Sequence, residues 1–121
     1  MNNTGIKKTS ATNPKSILYT TAGAMSVGIV VSAAAGNSDK IIKAGTPLAG
    51  DLTARTTAFT VATGADTVGV LLHDVDVSNG DNNATLMIAG YVNLDHLDSA
   101  VSALITEEVK TALKGNVTFL K

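Results

Sequence analysis

Cysteine and tryptophan are absent, and only two phenylalanines and two tyrosines occur in the 121 residues. Without cysteine there is no disulfide scaffold, no thiolate zinc site and no cysteine nucleophile. With so few aromatics, a core must be built from Val, Leu, Ile and Ala. Apolar residues make up 45% of the chain, enough for one small domain. A domain of this size buries a limited fraction of its surface, which points towards oligomerisation or docking on a partner. Positive charge is missing from the centre: no Lys or Arg lies between Arg55 and Lys110, where eight acids occur. Negative charge is missing from residues 1 to 38, which carry Lys7, Lys8 and Lys15. A basic N-terminal arm thus precedes an acidic body. An acidic body lacks the basic face that pairs with phosphates, which argues against a nucleic-acid-binding domain.

Charge of either sign is missing from residues 16 to 36, "SILYTTAGAMSVGIVVSAAAG". Lysines precede this stretch and Ala33-Ala34-Ala35 resembles a cleavage site, as in a secretory leader. Thr20, Thr21, Gly23, Ser26 and Gly28 interrupt the apolar run, however, and leave it too polar for a leader or a membrane span. The reading adopted is a buried strand over Val27 to Ser32, preceded by a glycine-containing turn.

Residues 1 to 15, "MNNTGIKKTSATNPK", are polar apart from Ile6. They bury too little apolar area to offset their ordering entropy and are expected to need a partner. Residues 16 to 121 form the body. Further strands are expected over Lys40 to Lys43, Ala58 to Thr63, Val68 to Val77 and Thr85 to Leu94. Gly45 and Pro47 mark one turn and Asn79-Gly80 another. In Thr85 to Leu94, residues Leu86, Ile88, Val92 and Leu94 share one face by the period of two. In Val68 to Val77 the phase changes: Val68, Val70 and Leu72 lie on one face, Leu71, Val75 and Val77 on the other. Either a bulge shifts the register or both faces are covered, and the second option suits a subunit interface.

From Asp98 the period becomes helical, with Val101, Ile105, Val109 and Leu113 at i+4 spacing. Asp98 or Ser99 suits the N-cap, and Thr106 is a second cap signal, so one helix or two short ones fit. Gly115 suits the C-terminal cap. The closing "NVTFLK" fits a final strand.

His73, Asp74 and Asp76 invite a metal or hydrolytic site, with Asp95, His96 and Asp98 as further donors. On a strand, however, His73 points away from Asp74 and Asp76, and no spacing matches a metal site of known mechanism. The competing reading makes these acids rim residues that blunt a sheet edge. There is no G-x-S-x-G and no triad context for either histidine. "AGTPLAG" lacks the lysine of a phosphate loop, and "SNGDNN" lacks the length and terminal Glu of a calcium loop. No catalytic, cofactor-binding or metal-binding residue is assigned.

The order "AGTPL", "GVLLHDVDV", a Gly/Asn turn, "AGYVNLDHL", an Ala-rich helix and "LKGNVTFLK" resembles the head-decoration proteins of tailed bacteriophages and the base domains of phage head-fibre proteins. The resemblance spans roughly residues 40 to 121. It implies a mainly-β body, barrel- or sandwich-like, with one or two short C-terminal helices. It also implies a homotrimer on the outer surface of the virion, bound to the major capsid protein and stabilising the shell, with no cofactor and no small-molecule substrate. In such proteins the N-terminal segment typically contacts the capsid. That role falls here on Asn2, Asn3, Thr4, Ile6, Lys7 and Lys8, and the two-faced pattern puts Leu71, Val75 and Val77 at the trimer interface. The alternatives are a metal-binding or hydrolytic β-domain using His73, Asp74 and Asp76, and a carbohydrate- or peptide-binding β-module.

Overall fold

In the computed structural model, which describes residues 16–121, the chain is mainly β. It runs β1 (Leu18–Val31), β2 (Ile41–Ile42), β3 (Pro47–Ala49), β4 (Thr60–Val61), β5 (Gly69–Leu71), β6 (Val75–Asp76) and β7 (Asn82–Asn93). Two short helices follow, α1 (Ser99–Ser102) and α2 (Glu107–Ala112), and β8 (Val117–Leu120) closes the chain. Among the described residues no helix is long and apolar enough to cross a membrane. The expectations placed on Asn2 to Lys8, and on residues 1–15 as a whole, lie outside the described residues.

The hub is β7. Antiparallel β1 lies along one edge of β7, while antiparallel β5 and parallel β8 share the other. The main sheet continues from β5 to β3 and β4, and β2 and β6 form a separate two-stranded ribbon. Beyond β1 the sheet bends towards the segment preceding β4. There the N–H of Phe59 donates to the Val30 carbonyl at 2.8 Å, and the N–H of Ser32 donates to the Phe59 carbonyl at 2.9 Å. This contact is one bridge rather than a ladder, so the sheet does not close into a barrel.

Apolar clusters sit on both faces of the hub. The first gathers Ile29, Val31, Ile42, Leu48, Phe59, Leu71, Val75, Val77 and Leu86. The second gathers Ile17, Val70, Met87, Val92, Val109, Leu113 and Val117. Adjacent residues therefore serve opposite clusters: Val70 and Met87 the second, Leu71 and Leu86 the first. β5 is apolar on both sides because the α2 region, through Val109 and Leu113, covers one face of the sheet and the β2–β6 ribbon the other.

This arrangement corrects the expected interface. Leu71, Val75 and Val77 are 0%, 8% and 2% exposed in the isolated protomer. Their side chains pack inside the chain's own first cluster and have no surface left for a trimer partner. Val68 to Val77 is also not one strand. The chain bends at Leu72 and His73, so Val75 leaves the main sheet and pairs with Ile42 in the ribbon. The phase change marks a strand that ends, not an interface.

In β7 the shared face of Leu86 and Val92 is likewise corrected, since the two serve opposite clusters. The register on β1 skips Ile88, between Met87 and Ala89, and Gly90 just beyond takes φ 144°. Glycine reaches that conformation without strain, and a Cβ there would meet the Met87 sulfur at 3.1 Å. The bulge signal was the glycine inside an alternating run.

At the C-terminus the two-helix alternative is the one formed. The Asp98 carboxylate accepts from the Ala100 N–H at the start of α1, and the Thr106 hydroxyl accepts from the Val109 N–H at the start of α2. Lys114 and Gly115 take left-handed dihedrals after α2 and turn the chain into β8.

Candidate functional site

The turn expected before Val27 is replaced by a longer strand. β1 begins at Leu18, and its register on β7 jumps from Thr20↔Tyr91 to Met25↔Ala89. Residues 21–24 bulge out around Gly23, whose φ is 74°. The first half of β1 has little beneath it: Tyr19 to Ser26 are all exposed. Tyr19 is 52% exposed, Met25 56% and, from β7 beside them, Tyr91 41%. The second half turns inward, with Ile29 and Val31 in the first cluster.

The two halves also differ at their outer edge. From Gly28 onward the edge is occupied: Arg55 Nη1 donates to the Gly28 carbonyl at 2.9 Å, and the Val30 N–H donates to the Arg55 carbonyl at 3.2 Å. From Leu18 to Val27, among the described residues, β1 pairs with β7 alone. An open strand edge usually carries a Lys or Pro that discourages another strand from adding to it. This one is uncharged throughout.

Immediately before β1, the chain is clamped where residues 1–15 join the body. Ile17 is 2% exposed and belongs to the second cluster. Its carbonyl accepts from the Asn93 N–H at 2.7 Å. The Ser16 carbonyl lies 2.8 Å from His96 Nδ1. A carbonyl only accepts, so Nδ1 carries the proton, and in the neutral ring Nε2 keeps the lone pair.

Beside this clamp is a half-open cavity of about 410 Å³, lined by Ser16, Ile17, Lys43, Leu72, His73, Asp74, His96 and Asp98 among others. Both histidines thus meet here, with two of the singled-out acids. Asp76 and Asp95 do not line it. Among the described residues no three His, Asp or Glu side chains come close enough to hold a metal ion.

The acids of the two clusters have local work. Asp74 accepts from the Ala44 N–H at 2.7 Å and faces Lys43 Nζ at 3.8 Å, both side chains being well exposed. Asp98 caps α1. Asp76 accepts from the Ser78 N–H at 2.8 Å. Hydrogen bonds from the Ser78 hydroxyl and N–H hold the Asp76 carboxyl below the usual carboxylate range. Asp95 sits in the 3₁₀ turn Leu94–His96, where its own N–H donates to Asn93 Oδ1. His73 projects from the bend and makes no side-chain hydrogen bond among the described residues. Sequence reasoning placed His73 opposite Asp74 on a strand. The bend instead brings both to one cavity rim. The clamp by His96 and the open edge of β1 were missed; the only advance signal was the uncharged run from 16 to 36.

No protein-family model matches the chain, and no curated protein matches it either.

Proposed function

We propose that this chain is a structural virion protein that binds the outer surface of an assembled phage capsid and stabilises it, with the polar segment 1–15 as its capsid-contacting arm. The observation that supports this reading is the clamped root of that segment. His96 holds Ser16, the Asn93 N–H holds Ile17, and the Ile17 side chain is seated in the second cluster. Tension on the arm would therefore pass into the core through the Asn93–Ile17 backbone bond and the buried Ile17 side chain rather than through a frayed end, as a cement between capsomers requires. Charge supports the same reading. The arm carries three lysines and no acid, which suits Lys7 and Lys8 to acidic groups on the shell, while residues 16 to 121 hold six Lys and Arg against ten acids.

The arm is long enough for the task. Fifteen residues reach roughly 50 Å when extended, at about 3.3 Å each, sufficient to cross a capsomer boundary. Backbone pairing along a neighbouring strand would need no particular side chains. A homotrimer would present three arms, and avidity would make a weak contact per arm hold firmly. Its interface has to use surface other than Leu71, Val75 and Val77.

Deleting residues 2 to 13 is expected to abolish decoration of assembled capsids while far-UV circular dichroism of the body is retained. Sedimentation of the free and capsid-bound protein reports the trimer in the same series. A truncated chain that decorates as well as the full one would refute the arm as anchor.

A further inference from the structure

The exposed first half of β1 has the properties of an unfilled pairing site. Among the described residues, its outer backbone edge is open from Leu18 to Val27 and closed by Arg55 immediately beyond. It carries no charge, so an added strand meets neither a repelled nor a desolvated ion. Tyr19 and Met25 flank it, with Tyr91 alongside. These are large apolar side chains at 52%, 56% and 41% exposure in a chain with only four aromatic residues.

What lies against this edge follows from where residues 1–15 join the body. That segment enters at Ser16, two residues before β1 begins. The clamp at Ser16 and Ile17 fixes this junction at the start of the strand that carries the open edge. A surface gripped by the arm is thereby brought up against the first half of β1. Resting on the capsid reading above, we infer that this edge docks an extended, uncharged segment of the shell protein, added as a strand to β1 from Leu18 to Val27 and flanked by Tyr19, Met25 and Tyr91. Main-chain hydrogen bonds would supply the attachment and the three apolar side chains its register. The bulge at residues 21–24 divides the site into two short ladders, so the docked segment bends with it.

Two substitutions address the edge without touching the arm. Met25→Lys places a charge on the exposed flank. Thr21→Pro adds a ring in the bulge, where no register partner on β7 is lost. Both positions are exposed, and thermal melts verify the fold of each variant. The probe is the undecorated shell assembled from the major capsid protein alone, titrated with full-length protein and read by co-sedimentation. Each variant is expected to bind at least ~10-fold more weakly, the equivalent of about 1.4 kcal/mol, with an unchanged melt. Wild type that binds while both variants bind equally well overturns the inference and leaves the capsid reading standing. Variants that bind shells normally but break up a wild-type oligomer overturn it too, and assign the edge to contact between copies. Wild type that does not bind shells at all removes the capsid reading and the inference with it.

Discussion

Replacing Leu71 by Ala separates a protomer core from a subunit interface. The side chain is fully buried, between Val31, Leu48, Phe59 and Leu86 in the first cluster. Its backbone is held on one side by Gly45 and Thr46, accepting from the Gly45 N–H and donating to the Thr46 carbonyl at 3.0 Å, and lies opposite Leu86 of β7 on the other, so the strand has little freedom to collapse into the space left. Truncating a buried Leu costs about 3 kcal/mol under such conditions, from lost transfer free energy plus a cavity term. For a domain of this size that corresponds to a fall in Tm on the order of 15 °C. Urea denaturation followed by circular dichroism measures the loss. Run at two protein concentrations a hundredfold apart, it also locates it. A core residue lowers the midpoint equally at both concentrations, whereas an interface residue lowers it through dissociation and makes it concentration-dependent. A loss under about 1 kcal/mol, or a deficit that vanishes at high concentration, would refute the assignment of Leu71 to the protomer core.

The other predictions are smaller. Thr106→Ala removes the cap of α2 and is expected to lower stability by about 1 kcal/mol in the same denaturation assay; no change would mean that α2 starts without it. Asp76→Asn tests the lowered carboxyl. A folded-state pKa below the unfolded value adds stability above the unfolded pKa and loses it as the pH falls through the folded one. The variant should therefore melt below wild type at pH 6, with the gap closing as the pH drops beneath the ordinary value of 3.8. His73→Ala is expected to change stability by no more than about 0.5 kcal/mol and to leave capsid decoration unaltered, as measured by co-sedimentation with and without a chelator. Decoration lost on chelation and restored by one metal would instead give His73 and its neighbours a ligand role.

Local signals in the sequence read well where one residue sets the geometry. Asp98 and Thr106 each bind the N–H that their position as caps requires, and the spacing of Val101, Val109 and Leu113 puts all three inside. Asn79-Gly80 falls in a turn, Gly80 taking φ 118°. The misreadings share one cause. Apolar residues on both faces of Val68 to Val77 looked like surplus area for a partner, because alternation along a strand does not say what covers each face. The answer lies far along the chain: Val109 and Leu113 from α2 cover one side, Ile42 in the ribbon and Phe59 before β4 the other. The bend at His73 was hidden for a similar reason. No glycine or proline marks it, and the pull comes from Asp74 binding the Ala44 N–H thirty residues away.

The candidate site was hard to read for the opposite reason, since its main property is what it does without. A run of 21 uncharged residues from 16 to 36 looks like a buried strand, and its second half is one. From Tyr19 to Ser26 the first half has the same uncharged composition but is exposed throughout, and no charge or proline guards its edge. Bulging at residues 21–24 offers partial protection, because a bent edge pairs poorly with a straight strand. It also narrows what is able to bind. A partner must follow the bend and tolerate Tyr19 and Met25 on its flank, which a generic aggregating strand does not. The same irregularity that limits pairing along this uncharged edge would thus select its occupant. On the proposed reading, the clamp of His96 on Ser16 would then set where an occupant held by the arm meets this edge.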